Sequence, residues 1–193
     1  MIQAVVYDIG NVLIGWQPEV FYDRLYGRAE RERLFATVDL HAMNDAIDRG
    51  ANFRDTVEEW KHRHPELADH IRHWHDDWVA LTGPVIDHSL ALLRALRRRG
   101  VPVFALSNFG IGTFALARQA YPFLDEFDRR YLSGYMAMAK PDPAIYAAVE
   151  ADSGRPPGTL LFVDDRPENI AAATARGWQG HVFDGPAGWA ARL

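Results

Sequence analysis

Apolar positions along the chain fall into two rhythms. Short, nearly continuous runs rich in β-branched and aromatic residues stand at 2–7, 101–106, 159–163 and 181–183, with a weaker run at 130–133. Apolar runs without alternation predict strands buried on both faces. Between them, apolar residues recur at helical spacing over 87–99, 111–120, 143–151 and 167–176. Strand alternating with helix predicts right-handed crossovers and a parallel, doubly wound α/β sheet of five strands, a Rossmann-like core.

The stretch 17–82 breaks that rhythm. It holds no convincing strand, and Val20, Phe21, Leu25, Leu34, Phe35, Val38, Val57, Trp60, Ile71, Trp74 and Trp78 follow helical spacing. It is therefore expected to be an all-helical cap inserted after the first strand. The core would comprise 1–16 and 83–193, with Gly83-Pro84 marking the return. His70 and His73 share a helical face, but no carboxylate or cysteine completes a metal set, so a solvated histidine face opposite packed tryptophans is expected.

Composition narrows the field. The chain has 193 residues, is 48% hydrophobic and lacks cysteine, which excludes disulfides, thiolate metal sites and a cysteine nucleophile. A net charge of -5, with acids and bases interspersed, argues against a nucleic-acid partner. The basic run Arg97 to Arg99 reads as the last turn of a helix closed by Gly100. Nothing resembles a membrane span or a signal peptide, so a cytoplasmic protein with no membrane partner is expected.

In an open parallel sheet, ligands bind beyond the carboxyl ends of the strands, so the residues after each strand carry the chemistry. Those are Asp8, then Ser107-Asn108, then Asp164-Asp165, with Lys140-Pro141 opening the helix before the last of them. Singly, Asp, Ser and Asn are ordinary turn and cap residues. Gathered at one edge, three carboxylates repel: two unit charges ~4 Å apart at an effective dielectric of ~20 cost about 4 kcal/mol. A divalent cation bound through oxygen relieves this, and Mg2+ suits such ligands better than zinc.

These segments, in this order, resemble the motifs of the haloacid dehalogenase superfamily: Asp8-Ile-Gly-Asn-Val12, Leu106-Ser107-Asn108, Lys140-Pro141 and Phe162-Val-Asp164-Asp165. The sequence looks most like the sugar-phosphate phosphatase branch, which carries a small helical cap after the first strand. The resemblance implies that Asp8 attacks phosphorus to form an aspartyl-phosphate. Ser107 and Asn108 would hold the phosphoryl oxygens, Lys140 would neutralise their charge, and Asp8, the Gly10 carbonyl, Asp164 and Asp165 would serve magnesium. One of the last two acids would act directly, the other through water or by steering Lys140. Asn11, Trp16 and, in the cap, Arg49 are further candidates for reaching the substrate, while Asn169 is expected to fasten the loop.

Most phosphatases of that superfamily place a second Asp two residues after the nucleophile as acid and base. Here Gly10 stands there. General acid catalysis contributes roughly 10²–10⁴-fold, so another group must give the proton or the leaving group must hardly need one. Three readings stay open. The first is a magnesium-dependent phosphatase for a small phosphorylated metabolite such as a sugar phosphate, either with a good leaving group, as in anomeric sugar phosphates or acyl phosphates, or borrowing an acid from His41, Asp45 or Asp48 in the cap. The second is a 2-haloacid dehalogenase, whose halide leaves without a proton. The third is a protein that keeps the fold and binds a phospho-ligand or partner without turnover.

Overall fold

The computed structural model describes residues 1–193. Five parallel strands form the main sheet in the order β5-β4-β1-β6-β7. They are β1 (Ala4–Tyr7), β4 (Val103–Ser107), β5 (Arg129–Leu132), β6 (Leu160–Asp164) and β7 (Gln179–Val182). The three central strands, β1, β4 and β6, are buried at every position. Alternate residues serve opposite faces, as strand geometry requires. Val5, Tyr7, Ala105 and Val163 join one apolar cluster; Val6, Leu106 and Phe162 join another. Helices cover both faces: α6 (Asp87–Arg98), α7 (Ile111–Ala120), α9 (Pro143–Ser153) and α10 (Pro167–Ala175). Gly100 takes φ +75° directly after α6, a left-handed closure that a side chain would strain.

Tyr7 lies level with Ala105 on one side and Val163 on the other, so β1, β4 and β6 end together. From β1 the chain fills the sheet toward β5, then crosses to β6 and β7. The order reverses between β1 and β6, and the crevice beyond their carboxyl ends is where this architecture binds ligands.

Between the first two strands of the sheet lies a feature the hydrophobic pattern did not announce. Strands β2 (Ile14–Trp16) and β3 (Thr82–Val85) pair antiparallel as a separate ribbon. A Cβ on Gly15 would sit 3.1 Å from the Gly83 Cα, so glycine lets the two chains approach closely. The intervening chain forms only helices: α1 (Pro18–Tyr26), α2 (Arg28–Thr37), α3 (Leu40–Asp48), α4 (Phe53–Arg63) and α5 (Ala68–Asp76), with short 3₁₀ turns. These helices share one apolar cluster with the sheet face that carries Val5 and Tyr7; Met43, Ile47 and Trp74 belong to it.

The histidine expectation needs correction. His70 stacks on Tyr26 with ring centroids 4.2 Å apart, and His73 bridges Tyr26 Oη at 2.8 Å and Asp77 at 2.6 Å. Both are half-buried packing groups rather than a solvated face. Two short helices were also unforeseen: α8 (Ser133–Met136) and the terminal α11 (Pro186–Arg192). The latter buries Trp189 completely, and its indole N–H donates to Tyr7 Oη at 3.2 Å. No helix is long and apolar enough to cross a membrane.

Candidate active site

Asp8 follows β1 directly and is 7% exposed. Its Oδ1 accepts three hydrogen bonds: from the Ile9 N–H at 2.8 Å, the Ser107 hydroxyl at 2.7 Å and the Lys140 ammonium at 2.9 Å. Its Oδ2 accepts none. One oxygen is clamped and the other uncommitted, beside a cavity of about 520 Å³ that Asp8 lines. Burial raises the Asp8 carboxyl to about 6 against the pull of Lys140.

Lys140 is buried and also donates to Asp164 Oδ2 at 2.6 Å. Burial alone would lower its ammonium, yet Asp8 and Asp164 together outweigh that and leave it above its ordinary value. It is therefore a fixed cation. Two neighbours hold it. Asn108 exchanges two hydrogen bonds with the Lys140 backbone, Nδ2 donating to its carbonyl at 3.0 Å and Oδ1 accepting from its N–H at 2.8 Å. Asp164 is wholly buried, and both its oxygens are engaged by Lys140, the Asn169 amide and the Arg166 N–H.

These contacts bear on two of the expected roles. Asn108 lines the cavity, but its side-chain amide is committed to the lysine segment rather than left for phosphoryl oxygens. Of the two adjacent acids, Asp165 lines the cavity while Asp164 does not. Asp165 Oδ2 accepts from Asn11 Nδ2 at 2.9 Å, and Asn11 is itself fastened by the Trp16 N–H at 2.9 Å. Asn11 holds φ +53°, a conformation Asn tolerates better than most residues. Asn169 fastens Asp164, as expected.

Arg49 is the expected site residue that stays outside. Helix α3 ends at Asp48, and Arg49 is its exposed C-cap, absent from the cavity lining. Asp48 itself, with His41 and Asp45, does line the cavity. The cavity lining also has an apolar part, formed by Ile14, Trp16, Trp78, Phe109, Ala117 and Tyr121. Trp78 sits between Trp16 and Phe109, with ring centroids 6.0 and 5.6 Å away. Of these, only Trp16 was singled out from sequence as a candidate for the pocket. Phe109 directly follows the Ser107-Asn108 pair, a clue available in the sequence.

The donor set suits magnesium. Asp8, Asp164 and Asp165 each offer a carboxylate oxygen, all within 4.8 Å of one another, with one lysine to offset three acids. The absence of histidine or cysteine from the cluster favours a hard, oxygen-seeking ion.

A family model for haloacid dehalogenase-like hydrolases matches residues 2–177. The sesquiterpene phosphatase astK of Aspergillus oryzae is 35% identical over 197 residues, covering 94% of this chain and 90% of that one. Among solved structures, the HAD family enzyme bt-2542 of Bacteroides thetaiotaomicron superposes with TM-score 0.75 at 26% identity, covering 95% of this chain and 94% of that one. The L-2-haloacid dehalogenase of Xanthobacter autotrophicus, at TM-score 0.64 and 21% identity over 93% of this chain and 76% of its own, shares the fold. The five-stranded core with its clamped aspartate thus has its kin, and the chain belongs to the haloacid dehalogenase-like hydrolases.

Proposed function

We propose that this hydrolase is a magnesium-dependent phosphatase that transfers a phosphoryl group from a monoester to Asp8 and then to water. The observation that carries this is the asymmetry of Asp8: three donors hold Oδ1 while Oδ2 is free at the cavity. A carboxylate so oriented gains from proximity what it lacks in intrinsic nucleophilicity. Lys140, fixed by Asp164 and Asn108, screens the phosphoryl charge as Asp8 approaches it. The Ser107 hydroxyl, now on Asp8, is placed to turn toward a phosphoryl oxygen.

Asp8, Asp165 and the Gly10 carbonyl would hold the magnesium, and Asp164 would serve by steering Lys140. When bound, the ion supplies positive charge that stabilises the phosphoryl oxygens and keeps Asp8 anionic. A protein of this fold, bt-2542, has been solved in complex with magnesium and inorganic phosphate.

The apolar wall points to a substrate whose body is largely hydrocarbon. Ile14, Trp16, Trp78, Phe109 and Ala117 give a hydrocarbon body apolar surface to lie on, while His41, Asn44, Asp45 and Thr82 line the same cavity with polar groups. The A. oryzae relative is a sesquiterpene phosphatase, which supports an apolar phosphomonoester over a sugar phosphate.

The test is phosphate release from p-nitrophenyl phosphate, with magnesium and with EDTA. Turnover should require the metal, and Asp8→Asn should lower it by at least ~10⁴-fold. Full phosphate release by Asp8→Asn overturns the reading. Metal-independent chloride release from 2-chloropropionate would put a dehalogenase in its place.

A further inference from the structure

An alkyl phosphate leaves behind an alkoxide, which needs a proton, and the position two residues beyond the nucleophile has none to give. A Cβ built on Gly10 would meet nothing within 4 Å, so the space beside the nucleophile is open. Three titratable cap residues border the same cavity. Their surroundings separate them. His41 is exposed and pairs with Glu19 at 3.3 Å, and Asp45 is exposed. Asp48 is held.

Its Oδ1 accepts from the Gly110 N–H at 2.9 Å, and its Oδ2 from Asn44 Nδ2 at 2.8 Å. Asn44 is oriented in turn by the buried Trp74 indole, which donates to its Oδ1 at 3.2 Å. The Asp48 carbonyl accepts from Ser133, whose hydroxyl also takes the Phe109 N–H. Gly110 makes this seat possible, because a Cβ there would lie 2.7 Å from the Ile47 side chain. The end of α3 is thereby pinned to the loop that begins with Ser107.

We propose that Asp48 is the acid and base of the reaction, protonating the leaving-group oxygen and later taking a proton from the attacking water. This rests on the phosphatase reading and deepens it. In the first step Asp8 Oδ2 forms a bond to phosphorus, the bond from phosphorus to the ester oxygen breaks, and that oxygen takes its electron pair and the Asp48 proton. In the second, water attacks the aspartyl-phosphate and gives its proton to the Asp48 carboxylate. Phosphate leaves and Asp8 departs as a carboxylate. Atoms and charges balance, and both residues return to their starting forms.

Asp48 has the environment such an acid needs. Burial pushes its carboxyl up to about 8 against the Gly110 N–H, and the negative Asp45 and Asp8 add to the rise. Lys140 and Arg166 are the cations that share the cavity lining with Asp48. α8 and the loop after β4 bring none, and the cations of α4 act on Glu58 and Glu59.

First-turnover rates for hexyl phosphate and p-nitrophenyl phosphate, with magnesium, separate this role from a structural one, because p-nitrophenolate leaves without a proton. Asp48→Asn keeps the shape of the seat and should slow the alkyl substrate ~10²-fold or more beyond any effect on the aryl one. Equal losses on both substrates overturn the proposal, making Asp48 a positioning residue and leaving the phosphatase reading intact. Undiminished alkyl turnover overturns it as well. If the wild type releases no p-nitrophenol with magnesium, the phosphatase reading fails and this inference falls with it. Should the variant not fold, the wild-type pH profile decides. The acid must be protonated, so alkyl turnover should fall as pH rises through about 8, and the aryl first turnover should lack that limb. A limb shared by both substrates overturns the assignment.

Discussion

Two parts of the cavity lining are built by opposite means. At the sheet edge, the buried Asp8, Lys140 and Asp164 hold one another through close ion pairs, with the half-buried Asp165 beside them. In the apolar part of the lining, Trp78 packs between Trp16 and Phe109, and Tyr121 joins them along the cavity; none carries a charge. The first part is rigid because each charge has a partner whose loss would leave another unpaired. The second is shape without direction, since apolar packing is non-directional and tolerates substitution. On the proposed reading, the charged groups carry the reaction and the apolar part of the lining carries recognition.

Damage at the charged end should therefore appear in kcat, and damage at the wall in KM. Beside the loss expected of Asp8→Asn, Lys140→Met should carry the next penalty, lowering kcat ~10²–10³-fold and abolishing competitive inhibition by inorganic phosphate, measured in steady-state assays. Trp16→Ala should raise KM for hexyl phosphate ~10-fold, about 1.4 kcal/mol of lost binding. It should leave inhibition by phosphate unaltered; a fall in kcat instead would dissolve the division. Arg49→Ala should have the smallest effect, under ~2-fold on kcat/KM, because its side chain lies outside the cavity. A loss above ~10-fold would return Arg49 to the site.

The charged end was legible in the sequence for a physical reason. A parallel sheet exposes only the residues that follow its strands, and the continuous apolar runs ending at Tyr7, Leu106 and Val163 located those residues closely. What each side chain does there was less legible. Asn108 turns its amide to the Lys140 backbone, a contact between loops 32 positions apart that no local pattern encodes. Arg49 and Asp48 are neighbours in sequence, but successive helical residues point about 100° apart, so only one of them reaches the cavity. The wall is assembled from β2, the turn before β3, the loop after β4 and the end of α7, which leaves no periodicity to find. The β2/β3 ribbon escaped because strands of three and four residues, each with a glycine, lack an apolar run.

Trp189 ties helix α11 to the strand that presents the nucleophile. Tyr7 immediately precedes the nucleophile, and its ring and hydroxyl are covered edge-on by an indole from the last helix of the chain. The strand that presents Asp8 is therefore closed over by a residue 182 positions away in the chain. Loss of the Trp189 indole would take from the buried Tyr7 phenol its hydrogen-bond donor, one residue from the reactive carboxylate.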